Sequence, residues 1–334
     1  MTGHHPRLRV LLALVAALAL ALVVSACGSD DESSSGGSSS SSKEEKPESS
    51  GKLIENNSAN ASKTLTIGSK NFTEEFILGE IYAQALQAGG YKVQKELNLG
   101  SEQIAYKAVR SGQVDAYPEY TGTSLTSFFD VKTDDVPTDS QEAYQQAKAE
   151  YAKVGLTALA PTPFTNSNAV GMTQAKAKEL GVTKISQLAD KASSLTLSGA
   201  PECRQRTDCL VGLEDTYGLD FKKFLPVDPA LRHKVLTSGQ ADVSIVFGTD
   251  GQIAADKLVV LEDDKKLFPP YNISFGIRND ALQKLGPDGQ KIIEAVQQYM
   301  TEKNMQQLNA RVDVDKEKPE AVAQEYLKAY GFIK

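Results

Sequence analysis

The sequence predicts an α/β fold of two similar lobes facing each other across a cleft, on three observations. Strand-like and helix-like stretches alternate from residue 64 onward. The pattern Ser-Gly-Gln-Val-Asp at 111–115 returns as Ser-Gly-Gln-Ala-Asp at 238–242, and the stretch 63–334 is large for one core and comfortable for two. The composition is that of a globular chain, 40% hydrophobic and 24% charged, too polar for a multi-span membrane protein. A formal charge of −7 argues against an electrostatic grip on nucleic acid, which needs clustered Lys and Arg.

The amino end stands apart from that fold. Arg7 and Arg9 precede an apolar run from Val10 to Val24, short for a membrane span and followed by small residues, which is the pattern of a secretory signal peptide. The quartet Val24-Ser25-Ala26-Cys27 resembles a bacterial lipobox, which implies cleavage after residue 26 and a diacylglycerol on the Cys27 sulfur. Two acyl chains give the stable membrane attachment that one chain cannot. Residues 28–62 hold 13 Ser in 35 positions, with Gly36-Gly37 and a charged run from Lys43 to Glu48. Such a composition buries no core, so 27–62 reads as a lipidated, disordered tether spanning on the order of 30 Å. With Cys27 lipidated, Cys203 and Cys209 are an even pair in an exported chain and are expected to close a small disulfide loop. The spacing is not CxxC, and His233 is the one His beyond the signal peptide, so a Cys/His zinc site lacks ligands.

Along the body, Thr64 to Ile67 alternates as a strand, and Asn71 with Glu74 three residues on reads as a helix N-cap. Ile77, Ile81 and Ala85 then step by four beside Leu78, Tyr82 and Leu86, until Gly89-Gly90 stops the helix. Tyr91 to Leu97 reads as a second strand. Ser101 caps a helix bearing Ile104, Ala105, Ala108 and Val109, and Gly112 ends it before a strand from Val114 to Tyr117. This alternation predicts a mostly parallel sheet. The repeat extends the reading, because the same offset that relates 111 to 238 pairs Tyr120 with Phe247, Thr121 with Gly248 and Thr123 with Asp250. Each lobe would present an aromatic residue and polar groups at the carboxyl end of a strand, where open α/β sheets bind ligands. Ile292, Ile293, Val296 and Tyr299, with Ala321, Tyr326 and Tyr330 later, read as helical packing in the tail.

Motifs for catalysis are missing from the sequence: no GxSxG, HExxH, Walker A loop, or GxGxxG after a strand. Asp313-Val314-Asp315 begins like a calcium loop but lacks its Gly and its twelfth-position Glu, and reads as solvated charge. No metal or other cofactor is expected.

Four blocks carry a family resemblance: Ser69-Lys70-Asn71-Phe72-Thr73-Glu74, Tyr117-Pro118-Glu119-Tyr120-Thr121-Gly122-Thr123, Thr249-Asp250-Gly251, and Phe268-Pro269-Pro270-Tyr271. Together they resemble the substrate-binding proteins of ABC importers for glycine betaine, carnitine, choline and related quaternary amines, over essentially all of 63–334. The resemblance implies a type II periplasmic-binding-protein fold with two crossovers, lobe 1 being 63–162 plus 271–334 and lobe 2 being 163–270. It implies a box of aromatic rings for the trimethylammonium group and a second set of groups for a carboxylate. Carried over position by position, Lys70, Thr123 and Arg206 take the carboxylate side, Arg206 by a two-bond fork and held in place by the Cys203–Cys209 loop. Tyr120 and Tyr271 match ring positions, Phe247 keeps a ring where Tyr is usual, and Asn168, beside Asn166, stands where a fourth ring is expected. Thr249 and Asp250 complete the site, while Tyr117 and Glu119 read as lobe-stabilising residues turned away from it.

The expected protein is therefore a lipid-anchored extracytoplasmic receptor, monomeric, that closes on a small zwitterionic solute and delivers it to an ABC permease without making or breaking a bond. The alternatives are the same fold with a non-quaternary carboxylate or hydroxylated aromatic ligand, and a lipoprotein sensor or enzyme.

Overall fold

A computed structural model describes residues 51–334. The segments read as a signal peptide and a lipobox with Cys27, and the Ser-rich run to residue 50, lie outside the described residues. Residues 51–62, expected as tether, are instead fixed to the body. Gly51 and Ile54 donate their backbone N–H groups to the carbonyls of Tyr330 and Phe332, and Asn60 is buried with its amide on the Gly89 carbonyl. Ile54 packs against the main core, so one apolar residue in a polar run is enough to hold this arm down.

The first half of the body runs β1 (Thr64–Gly68), α1 (Thr73–Ala88), β2 (Lys92–Glu96), α2 (Glu102–Ser111), β3 (Ala116–Tyr120), α3 (Thr121–Phe128), α4 (Ser140–Lys153) and β4 (Leu156–Ala158). A second set follows: β5 (Asn168–Thr173), α5 (Gln174–Leu180), β6 (Thr196–Gly199), α6 (Leu210–Tyr217), β7 (Lys223–Pro226), α7 (Arg232–Thr237), β8 (Val243–Phe247), α8 (Gln252–Ala255) and β9 (Leu258–Val260). The chain then returns to the first set with β10 (Ile273–Arg278) and ends in α9 (Asn279–Gln297), α10 (Glu302–Asp313) and α11 (Pro319–Ala329). Each set forms its own five-stranded sheet, ordered β2-β1-β3-β10-β4 and β7-β6-β8-β5-β9.

The sheets are mixed, where alternation alone predicted mostly parallel pairing. β1 pairs parallel with β2 and β3, but β10 pairs antiparallel with β3 and β4; in the second sheet β5 runs antiparallel to β8 and β9. The reversed strand in each case is the one entered from a crossing segment, so it meets its sheet from the opposite end. The two crossings lie side by side, joined by an isolated antiparallel bridge between Thr165 and Asn272.

Alternating periodicity located the core. Ile77, Leu78, Ile81, Tyr82 and Leu86 of α1 are fully buried among β10, α9 and α11, in the largest apolar cluster. The second sheet has its own cluster, built on Val170, Met172, Leu197, Leu213, Val243 and Ile245. Two details differ from expectation. Asn71 does not cap α1, whose N-cap is Phe72 with no side-chain bond, because Glu74 turns into the interior; and Ile104 of α2 is 52% exposed.

The repeat is structural. Gly112 and Gly239 both sit in the left-handed region, at φ 81° and 72°, each after a helix. Asp115 then exchanges two bonds with Thr66 of β1, backbone to carbonyl and carboxylate to N–H at 2.8 Å; Asp242 does the same with Thr196 of β6, its carboxylate 2.9 Å from the N–H. The echo is one clamp, used once per sheet, that docks β3 on β1 and β8 on β6.

The two bodies touch behind the cleft where Gly251, after β8, meets α10. A Cβ on Gly251 would stand 2.5 Å from the Ala310 Cα and N, both backbone atoms that cannot swing aside, whereas one on Gly248 would find nothing nearer than 3.7 Å. Gly251→Ala is expected to destabilise by about 1–3 kcal/mol and lower the melting temperature by several degrees, with Gly248→Ala near neutral. Thermal unfolding of the two variants side by side checks this.

Candidate ligand-binding cleft

Lys70, Tyr120, Thr123, Asn166, Asn168, Arg206, Phe247 and Tyr271, all singled out in the sequence, line one cavity between the two sheets, together with Phe72, Glu102, Glu202 and Arg232. Its volume is about 90 Å³. On the same measure one water needs about 10–15 Å³, so the space suits a small organic solute and is too large for a single ion.

The rings come from strand ends and one helix entrance. Tyr120 ends β3 and Phe247 ends β8, as the repeat required. Phe72 sits between them, its centroid 6.0 Å from Tyr120 and 5.3 Å from Phe247, so the aromatic wall crosses from one sheet to the other. Tyr271 lines the same cavity, against α3. Gly122 admits it there, since a Cβ at that position would lie 2.9 Å from two ring carbons of Tyr271. The Tyr-Thr-Gly-Thr block is thus readable physically: a ring, a helix start, and a missing side chain that seats a second ring.

A cation lies over each of the two echoed rings. The Lys70 ammonium is 4.3 Å from the Tyr120 centroid, and the Arg232 guanidinium carbon 4.5 Å from that of Phe247. Both cations are already paired. Lys70, with only 4% of its surface exposed, bonds Glu119 at 2.5 Å with Glu75 at 3.8 Å, so it is neither a free carboxylate ligand nor a solvated surface residue. Glu119, expected to face away, lies directly behind the site, because its carboxylate also accepts the Tyr120 N–H and the Tyr117 hydroxyl. Arg232 forks onto Asp250, which also contacts His233 and accepts the Phe247 N–H. Burial works to raise Asp250, but Arg232 and His233 overcome it and hold the carboxyl at about 2.

Asp250 and Thr249 therefore do not line the cavity; both are committed behind it. The Thr249 hydroxyl donates to Glu74 at 2.5 Å, and its N–H to Asn166. Glu74 is the residue most under-read from sequence. Its carboxylate accepts from Tyr120 at 2.8 Å, Asn166 at 2.8 Å, Thr249, and Asn309 of α10 at 3.1 Å. Burial raises its pKa and the four donors oppose the rise.

Across the cavity, the Cys203–Cys209 disulfide is formed and closes a loop holding Arg206 and Asp208. Arg206 points into the site, but its Nε and one terminal nitrogen are forked onto Asp208 at 2.8 and 2.6 Å. The fork expected for a ligand carboxylate is thus already occupied; the remaining nitrogen faces Glu102 at 3.4 Å. Asp208 also accepts from the Tyr271 hydroxyl at 2.7 Å and from Thr126 of α3 at 3.2 Å. Burial works to raise Asp208, and Arg206, Tyr271 and Thr126 outweigh it to hold the carboxyl low. Asn168 spends its amide N–H groups on the Tyr271 hydroxyl and the Asp208 carbonyl, so it braces the wall where a fourth ring was expected.

Comparison with known proteins follows the same outline. Residues 63–329 match the family model described as the substrate-binding domain of ABC-type glycine betaine transport systems. The chain is 34% identical over 283 residues to a glycine-betaine-binding protein of Pseudomonas aeruginosa, covering 81% of this chain and 89% of that one. It is 29% identical over 271 residues to the ergothioneine transport permease/ergothioneine binding protein EgtU of Helicobacter pylori, covering 80% of this chain and 48% of that protein. Among solved structures, one described as a glycine betaine/carnitine/choline ABC transporter matches with a TM-score of 0.64 at 28% identity, covering 80% of this chain and 99% of that one. Among the described residues, no helix is long and apolar enough to cross a membrane.

Glu75 gives the site a pH signature. It is fully buried beside Lys70, and one of its oxygens has no hydrogen-bond partner. Burial pushes its carboxyl up to about 8 from the usual 4.5, with Lys70 opposing and Glu119 reinforcing. A folded-state pKa above the unfolded one stabilises the protein fully below the unfolded value and loses that contribution as pH rises through the folded value. Unfolding free energy is expected to fall between pH 5 and pH 8.5, and Glu75→Gln to flatten the slope. Denaturant titrations of both proteins across that range test it; an unchanged slope in the variant refutes it.

Proposed function

The chain belongs to the family of substrate-binding domains of ABC-type glycine betaine transport systems, and from that premise we propose that it captures one small quaternary ammonium solute, glycine betaine or a close analogue, and presents it to a membrane permease. The observation that carries this reading is the convergence of Tyr120, Phe72 and Phe247 into one wall spanning both sheets, with Tyr271 lining the same cavity. A trimethylammonium group set against ring faces gains about 0.5–2 kcal/mol from each ring by cation–π attraction, and asks for no hydrogen bond in return.

The Thr123 hydroxyl and the Arg206 edge that meets Glu102 serve the solute's polar end. The moving bodies are residues 63–162 with 271–334, and residues 163–270, pivoting on the paired crossings at Thr165 and Asn272. Closure follows from binding because only the closed form lets both halves of the wall act on one ligand. The solute leaves chemically unchanged, so the protein is a carrier and not an enzyme, acting outside the cytoplasmic membrane as a monomer without cofactor or nucleic acid.

Glycine betaine at a hundredfold excess over Kd is expected to stabilise the protein by about 2.7 kcal/mol. Phe72→Ala should weaken glycine betaine and choline alike. Calorimetry showing no heat and no thermal shift with glycine betaine, carnitine or choline overturns the ligand assignment. We also propose Cys27 as the lipid anchor. In a bacterial host, Cys27→Ala should move the protein from the membrane fraction to the soluble one and abolish incorporation of labelled fatty acid.

A further inference from the structure

We propose that Glu102 sets how far the site favours ligands that carry a carboxylate over ligands that do not. This rests on the quaternary-amine reading above and concerns which members of that class are held. Arg206 has three nitrogens, of which two are forked onto Asp208 inside the disulfide loop. That pair is buried, with Asp208 fully enclosed and also held by Tyr271 and Thr126, so two of the three nitrogens are committed within the protein. One guanidinium edge therefore remains for an incoming anion, and Glu102 faces it at 3.4 Å from the opposite side of the cleft.

Glu102 opens α2, directly after its N-cap Ser101, and both residues line the cavity. Its side chain is 11% exposed and that of Arg206 18%, so the contact is largely shielded from water and only lightly screened. The Glu102 carboxylate stands where the carboxylate of a zwitterionic solute would seek Arg206. A ligand carboxylate must either displace it or lie beside it as a like charge, and both cost affinity. A cation without a carboxylate, such as choline, meets no such competitor and gains a nearby negative charge. Discrimination thus comes from a repulsive element as well as an attractive one.

Glu202 supplies the control. It lines the same cavity as a second carboxylate but does not pair with Arg206. Removing it takes away one cavity carboxylate without freeing the Arg206 edge.

The test is calorimetric titration of the full mature chain and of Glu102→Gln, Glu102→Ala and Glu202→Gln with glycine betaine and with choline. Both Glu102 variants are expected to tighten glycine betaine by about fivefold, the upper end of what displacing one partly exposed ion pair costs. Choline should hold within about twofold or weaken, and Glu202→Gln should leave the ratio of the two affinities where it was. Because both ligands are measured on each variant, a fault in folding moves them together and cannot mimic the effect. If the wild-type chain binds neither ligand, the quaternary-amine reading falls and this proposal with it. If the wild type binds but the Glu102 variants shift both ligands in parallel, or Glu202→Gln changes the ratio as much, the role of Glu102 is overturned alone.

Discussion

A carboxylate buried without a cation must be surrounded by donors, and Glu74 draws its four from every part of the molecule that meets at the root of the cleft. Tyr120 comes from the end of β3, Asn166 from the first crossing, Thr249 from the turn after β8 and Asn309 from α10. Losing any one leaves a buried carboxyl group short of a partner, at about 1–3 kcal/mol. The Glu74 position therefore fixes the Tyr120 ring by its hydroxyl and ties the β8 turn to the first sheet. Thr249 cannot serve both this arrangement and a ligand, and the structure gives it to Glu74.

The same logic of compensated charge runs through the walls. Lys70 with Glu119 and Arg232 with Asp250 are pairs in which a buried cation lies over a cavity ring and its acid lies behind. A buried pair stabilises little by itself, because desolvation offsets the Coulomb attraction. What such pairs provide is orientation: Glu119 and Asp250 also accept the backbone N–H of Tyr120 and Phe247, so each carboxylate aims a cation and the strand end bearing the ring beneath it. The two halves are alike in plan although the residues differ, which is how a duplicated arrangement looks once only its geometry is retained.

Much of this was legible in the sequence where the signal was local or repeated. The 111–115 and 238–242 echo located two equivalent clamps, and the offset it defined put Tyr120 and Phe247 at matching strand ends. The cysteine pair was readable by count alone. Phe72, Arg232, Glu102 and Glu74 were not, because each has a second, simpler reading along the chain: Glu102 and Glu74 as first-turn acids favoured by the helix dipole, Phe72 as a residue beside a cap. Arg232 lies at the start of a short helix with nothing nearby to pair it with Asp250, eighteen residues on. Thr249 and Asp250 failed in the opposite direction: their motif was right, but sequence cannot say whether a polar group at a strand end faces a cavity or the wall behind it. The arm 51–62 was missed because composition averaged Ile54 away.

The cleft holds contacts of its own. Arg206 meets Glu102, Asp208 meets Thr126, Thr133 meets Thr207 at 2.8 Å, and Phe72 packs on Phe247, all between the two bodies. A ligand thus replaces some of these contacts instead of adding to an empty gap, and the free energy available for closure is only the difference between what it makes and what it displaces. The aromatic contacts are displaced at little cost, since rings that touch each other can touch a methylated ammonium instead. The Arg206 edge is costlier to take, because a charged partner must be moved. On the function proposed above, wall and edge divide the work: the rings favour closure on any quaternary amine that fits, and the charged edge decides how far each one shifts the balance.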